Sequence, residues 1–175
     1  MSAVNQQERL KIESWIVGFT DGEGCFSVSF IKNKTTKTGW QLFPEFVITQ
    51  GSKSLPALKI IQSYFECGSL FVNRRKDNHR EHLYRYCVRS LNDIQIKIIP
   101  FFETNKLKTH KHQDFLVFKK IVKMMTKGIH LKKNGMTRIA RLIEQMNRKK
   151  KSRFLESSET KRQHLKKGED RVRSS

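Results

Sequence analysis

Trp15-Ile-Val-Gly-Phe-Thr-Asp-Gly-Glu-Gly-Cys-Phe26 changes its periodicity in the middle. Upstream, apolar residues fall at Leu10, Ile12, Trp15, Ile16, Val17 and Phe19, a helical pattern wider than one face. Downstream, Phe26, Val28 and Phe30 alternate with Ser27 and Ser29 in a stretch running from Cys25 to Lys34, the period of a half-buried strand. Between the two patterns stand Asp21 and Glu23, at the negative end of the helix macrodipole, where each acid costs about 0.3–1 kcal/mol. Gly22 and Gly24 are expected to let the backbone leave the helix in a strained or left-handed conformation. Carboxylates beside a helix's unpaired carbonyls form a hard oxygen nest, suited to a divalent cation such as Mg²⁺ or Mn²⁺.

Outward from this point the chain reads as alternating elements. Thr35 to Gly39 is turn chemistry, and Trp40 to Gln50 is a second strand with Leu42, Pro44, Phe46 and Ile48 on one face. Gly51 to Ser54 breaks it. Ser54 is the expected N-cap of a helix with Pro56 in its first turn, an apolar stripe of Leu55, Leu58, Ile61 and Phe65, and a stop at Gly68. Ser69 to Arg75 and Glu81 to Ser90 form a hairpin around a polar turn. Leu91 to Phe102 is a short helix interrupted at Pro100, and residues 110–126 and 136–149 are two more helices. The order α-β-β-α-β-β-α, with a further helix behind it, predicts an α+β fold with helices on one face of an antiparallel sheet.

Composition narrows the partner. The chain has 175 residues, 36 Lys+Arg against 16 Asp+Glu, and a net charge of +20. Residues 145–175 carry +7 of this and residues 1–144 carry +13, so the folded part is itself basic. A domain over 1–150 and a basic C-terminal tail over 151–175, partly disordered, are expected. No apolar run approaches the ~20 residues of a membrane span, so no membrane partner is expected. The N-terminal residues have neither the apolar core of a secretory signal nor the composition of a transit peptide. Three widely spaced cysteines, Cys25, Cys67 and Cys87, are not a disulfide framework, and neither they nor the histidines have zinc-site spacing. A polyanionic partner accounts for the charge, with nucleic acid the first candidate and an acidic membrane surface the second.

A sheet covered on one side leaves the other side wet. The alternation assigns Ser27, Ser29, Gln41, Glu45, Asn73, Arg75, Arg85 and Arg89 to that side, with Phe43, Val47, Phe71, Leu83 and Cys87 as apolar exceptions. Amide, hydroxyl and guanidinium groups on a ribbon suit base edges in a major groove. Lys32, Lys34, Lys37, Arg74, Lys76 and Arg80 fall at the hairpin tips, within reach of phosphates. The alternative for this face is an ordinary solvated sheet surface; the net charge favours binding.

Ile16-Val-Gly-Phe-Thr-Asp-Gly-Glu-Gly24 resembles the nine-residue LAGLIDADG motif. The resemblance extends through Cys25-Phe-Ser-Val-Ser, Phe46-Val-Ile-Thr-Gln50, Tyr64-Phe-Glu-Cys-Gly68, Leu107 to Leu116 and His130 to Asn147, in the family's order. It implies an intron-encoded homing endonuclease: a site-specific double-strand DNA hydrolase dependent on a divalent metal. By that resemblance Glu23 is the metal ligand, the Gly22 carbonyl an accessory ligand, and Asp21 a supporting acid at the helix end. Gln50 matches the polar residue that orders solvent. Lys111 best matches the basic residue near the scissile phosphate, with Lys108 the alternative. The base that some members carry shortly after Gln50 falls near Ser54, where Lys53 is its neighbour.

Only one such motif occurs, and single-motif relatives pair through the motif helices. The broad apolar coverage of residues 10–19 and the small Gly18 and Gly22 agree with close helix contact, so Trp15, Gly18, Phe19 and Gly22 are expected at a homodimer interface. The same resemblance places the gene in an intron of an organelle genome, chloroplast or mitochondrion. Two other functions on this scaffold compete with cleavage: a maturase that binds its host intron RNA, and a non-catalytic DNA-binding regulator.

Overall fold

The computed structural model describes residues 3–73, 82–146 and 154–155. Helix α1 (Ala3–Glu23) runs directly into strand β1 (Gly24–Lys32), which turns back as β2 (Trp40–Gly51). A 3₁₀ turn (Ser52–Ser54) leads into α2 (Leu55–Phe65), and the hairpin β3 (Ser69–Asn73) and β4 (Leu83–Val88) follows. Next come a composite helix α3 (91–104), α4 (Lys111–Thr126), a 3₁₀ turn (Ile129–Leu131) and α5 (Lys133–Ile143). The expected order holds, with all four strands in one antiparallel sheet of order β1-β2-β4-β3.

Strand parity sorts the side chains. Phe26, Val28, Leu42, Phe46, Ile48, Tyr86 and Val88 are buried on the face that α3 and α4 cover with Phe102, Phe115 and Phe118. The Phe26 ring lies 5.1 Å from Phe46, 5.3 Å from Phe102 and 5.4 Å from Phe118. Each buried aromatic contributes about 1.5–3 kcal/mol by leaving water, and each tilted or edge-on pair adds about 0.5–1.5 kcal/mol. The core therefore centres on the strand that continues α1, which fixes the end of α1 against the sheet.

Several local expectations shift. Ser54 holds the N-cap position of α2 but makes no side-chain cap bond, because the preceding 3₁₀ turn already supplies backbone bonding. That helix stops at Phe65 on a left-handed Glu66 (φ 49°), ahead of Gly68. Gly68 itself has φ 77°, and a Cβ there would lie 2.7 Å from the Cys87 carbonyl. Pro100 does not interrupt α3. A π turn over Ile94–Ile98 shifts the bonding by one residue just before it, and Pro100 enters a fresh helical turn where its missing N–H is not needed. Helix α5 spans Lys133–Ile143 instead of 136–149; its last expected residues lie outside the described ones.

Phe154 and Leu155 fall within the stretch expected as tail, yet Phe154 is buried. Its ring stacks on Phe30 at 4.9 Å and meets Trp40 edge-on at 5.8 Å, at the turn end of the β1–β2 ribbon. No helix among the described residues is long and apolar enough to cross a membrane.

Candidate active site and nucleic-acid interface

The end of α1 is held by a segment almost 90 residues away in sequence. Both oxygens of the Asp21 carboxylate accept bonds from it: Oδ2 from the Lys108 N–H at 2.7 Å, and Oδ1 from the Thr109 hydroxyl at 2.7 Å and its N–H at 3.2 Å. Burial works to raise the Asp21 carboxyl, but the Lys108 and Thr109 bonds and the Lys111 charge outweigh it, leaving the group below its ordinary value. Lys111, the first residue of α4, donates its ammonium to the Thr20 carbonyl at 2.9 Å and the Gly22 carbonyl at 3.4 Å. A cation thus sits on the carbonyls at the negative end of the helix, where the macrodipole favours it.

Gly22 and Gly24 do not use left-handed backbone, contrary to the expectation; among the described residues only Gly39, Gly68 and Gly128 do so as glycines. The reason for Gly24 is close approach. A Cβ there would lie 2.6 Å from the Thr20 side chain and 2.9 Å from its carbonyl. Thr20 is fully buried, β1 starts immediately after the helix, and Glu23 at that junction is exposed. Gln50 lies near this corner, because it is two residues past Ile48, the register partner of Gly24. It is half-buried opposite Tyr84. Lys108 contributes its backbone N–H to Asp21, and its side chain is exposed. The structure therefore brings Glu23, Asp21, Lys108, Lys111 and Gln50 to one corner of the sheet. Lys53 lies in the exposed turn just beyond Gln50.

The donor set decides what ion fits. Among the described residues no three His, Cys, Asp or Glu side chains group as a metal cage. Both Asp21 oxygens already accept N–H or O–H groups; the Glu23 carboxylate is exposed, and the Gly22 carbonyl has the long 3.4 Å contact from Lys111. Two hard oxygens fit an ion such as Mg²⁺, which takes one or two carboxylates and completes its shell with water and substrate phosphates.

Of the expected polar set, the open face of the sheet carries Ser27, Ser29, Gln41, Glu45, Arg85 and Arg89 among the described residues. Ser27 pairs with Glu45, Ser29 with Phe43, and Thr49 with Arg85. Glu45 accepts from Arg85 at 2.9 Å and from Arg89 at 2.5 Å. Val47 and Cys87 are buried at the middle of this face. Gln41 accepts from the Asn33 amide at 2.8 Å, which orients it at the ribbon's turn end. Lys32 shares the parity of Phe26 and Phe30, not of the serines, and its ammonium lies 5.8 Å from the Trp40 ring centre. Lys34 is exposed in the turn. Asn73 is placed by its backbone pairing with Leu83, and Arg74, Arg75, Lys76 and Arg80 lie outside the described residues.

Along α1 the expected interface residues share an outer surface. Trp15 is 38% exposed and tilts against Phe19 at 5.2 Å. A Cβ built on Gly18 or on Gly22 meets nothing within 4 Å. The residues that sequence reasoning missed are Thr20 and Thr109. Thr109 bonds Asp21 directly, whereas the Thr20 carbonyl accepts the Lys111 ammonium, and only the register of the folded chain reveals these contacts.

Fold and site together define an α+β protein with acids at the end of its first helix, beside the charged open face of a four-stranded antiparallel sheet. Within that class, the chain belongs to the LAGLIDADG endonuclease family, whose sequence model matches residues 16–122. It is similar to the homing endonuclease I-TnaI, at 36% identity and TM-score 0.74, over 85% of this chain and 96% of that one. It is also similar to I-SmaMI bound to uncleaved DNA target in the presence of calcium ions, at 30% identity and TM-score 0.74, over 83% of this chain and 48% of that one. Among curated proteins it is 35% identical over 126 residues to a probable intron-encoded endonuclease of Neurospora crassa. The chain spans about a quarter of the length of the Neurospora crassa relatives that it matches.

Proposed function

We propose that this protein is a site-specific double-strand DNA endonuclease of the homing type. It hydrolyses phosphodiester bonds with a divalent metal and promotes the mobility of the intron that encodes it in an organelle genome. The observation that carries this reading is the corner where Glu23, Asp21, Lys111 and Gln50 meet beside the arginine-bearing sheet face. A duplex laid along that face puts a phosphate within reach of the corner.

In this reading Glu23 and the Gly22 carbonyl would hold the ion, which would supply positive charge at the scissile phosphate and lower the pKa of a nearby water. Asp21 fixes the helix end against residues 108 and 109. Lys111 and Lys108 bring positive charge to the phosphate, and Gln50 orients solvent. Ser27, Ser29, Gln41, Arg85 and Arg89 face the bases, while Lys32, Lys34 and Lys53 reach backbone phosphates. Two copies pair through the open surface around Trp15, Gly18, Phe19 and Gly22. A two-fold pair supplies one Glu23 for each strand and doubles the sheet into a long reader of a roughly palindromic target.

The test is selection of a cleaved target from a randomised duplex library with Mg²⁺, followed by Glu23→Gln. The variant keeps size and loses the charge, so cleavage should fall by at least about a hundredfold while binding stays within threefold, the pattern expected when a charge that acts on the reacting group is removed. A Glu23→Gln enzyme that cuts at the wild-type rate refutes the metal assignment. A wild-type protein that selects no duplex refutes the endonuclease reading.

A further inference from the structure

On the open face of the sheet, one carboxylate holds two guanidinium groups. Glu45, on β2, has a side chain only 16% exposed. Its Oε1 accepts from Arg85 Nη2 at 2.9 Å, and its Oε2 accepts from Arg89 Nε at 2.5 Å. Arg89 has a second restraint, since its guanidinium carbon lies 5.2 Å from the ring centre of Phe71. Phe71 belongs to the edge strand, pairs in register with Arg85, and is 45% exposed. The two arginines stand four residues apart, Arg85 on β4 and Arg89 just past its end, and the carboxylate bonds both heads.

An acid on a surface built to meet a polyanion opposes binding, so its presence on a chain of net charge +20 calls for a reason. Direct reading of a cytosine amino group is one use for a glutamate in a groove. Here both carboxylate oxygens already accept from arginines, so the geometry favours a different use. A guanidinium has five N–H donors in a rigid plane. Arg89 spends its Nε–H on Glu45 and keeps both terminal amino groups. Arg85 spends one N–H of Nη2 and keeps the rest. A plane fixed at one edge and free at another matches the O6 and N7 acceptors of guanine, the commonest specific contact of arginine in a major groove. A free arginine has to lose its rotamer freedom on binding and accepts phosphates as readily as bases.

We infer that Glu45 is a positioning residue that, with Phe71, fixes Arg85 and Arg89 as a reader of two guanines on neighbouring base pairs. The inference rests on the DNA-binding reading above. Glu45 sets which base is chosen at those two pairs and does not supply affinity; removal of its charge should leave overall binding equal or tighter.

The test is base-preference profiling of wild type, Glu45→Gln, Arg85→Ala, Arg89→Ala and Phe71→Leu on a randomised duplex library at fixed salt. The two alanine variants locate the base pairs that the arginines read. Wild type should select guanine at both, and those pairs should be adjacent. Glu45→Gln should lower guanine preference at these pairs at least about fivefold, the low end of what a bidentate arginine–guanine pair provides, and leave every other position unchanged. Phe71→Leu should lower preference at the Arg89 pair more than at the Arg85 pair. Unchanged preference in Glu45→Gln overturns the proposal and leaves the endonuclease reading intact. So does a profile that weakens evenly at all positions, which marks a structural defect. A wild-type protein that enriches no sequence overturns both.

Discussion

Removal of the Lys111 ammonium separates its structural task from its chemical one. In Lys111→Met the stem remains, and the Thr20 and Gly22 carbonyls at the end of α1 lose their donor. The 2.9 Å bond to Thr20 is partly buried, whereas the 3.4 Å bond to Gly22 is long and exposed and adds little. A charged donor on a carbonyl is worth about 1.5–3 kcal/mol when well shielded, and a cation at a helix C-terminus about 0.3–1 kcal/mol at the surface. Partial exposure pulls the combined loss toward about 1–2 kcal/mol. For a chain of this size that lowers the melting temperature by roughly 2–8 °C. Thermal melts measure that shift and urea titrations the free-energy loss, and Lys111→Arg, which keeps the charge, should recover at least half. Asp21 ties the same helix end to the same segment, so Asp21→Asn and Lys111→Met should couple by about 0.5 kcal/mol or more in a double-mutant cycle. A Lys111→Met protein as stable as wild type, with the two substitutions strictly additive, would show that this segment is held by packing alone and refute the reasoning.

Three further outcomes follow from the geometry. Gly18→Leu should leave the protomer as stable or more so, since its Cβ meets open space and glycine is the poorer helix former, while on the proposed pairing sedimentation should show weaker self-association and double-strand cleavage should drop; self-association equal to wild type refutes pairing through this surface. Asp21 has its carboxyl below the ordinary value in the folded state, so its stabilising contribution is complete above the unfolded value of about 3.9 and is lost as pH falls through the lower folded value; Asp21→Asn should remove that part of the acid dependence in melts between pH 2 and 6, a range set around the reference carboxyl value. Phe154→Ala should cost about 3 kcal/mol by denaturant melts, as for a buried aromatic truncated in place, and a loss under about 1 kcal/mol would mean that the ring does not brace the β1–β2 ribbon.

What the sequence made legible, and what it did not, divides by distance along the chain. Alternation over β1 and β2 has a period of two and needs no partner, so the buried phenylalanines and the serines opposite them were readable directly. The acids of the motif were readable for a similar reason, since a helix end and a strand start meet within four residues. The bonds that commit Asp21 were not, because Lys108 and Thr109 reach it only after two hairpins and α3 have folded between them. Phe154 was hidden by its neighbours, as one aromatic in a basic stretch reads as tail until Phe30 and Trp40 are placed beside it.

The same division explains Glu45. Parity alone put it on the open face with Arg85 and Arg89, and the three looked like separate groups available to a partner. The antiparallel register sets Val47 opposite Cys87 and Thr49 opposite Arg85, which leaves Glu45 level with Arg89 and two same-face steps from Arg85. A carboxylate so placed between two arginines neutralises one unit of charge and binds both heads, so the three residues act as one group with a net charge of +1. On the proposed reading, the count of basic residues on this face overstates its attraction for phosphate and understates its capacity to choose a base. A surface whose charges are partly paired binds a generic duplex less tightly and discriminates more, because the paired arginines keep the donors that fit guanine and have lost the freedom to follow the backbone.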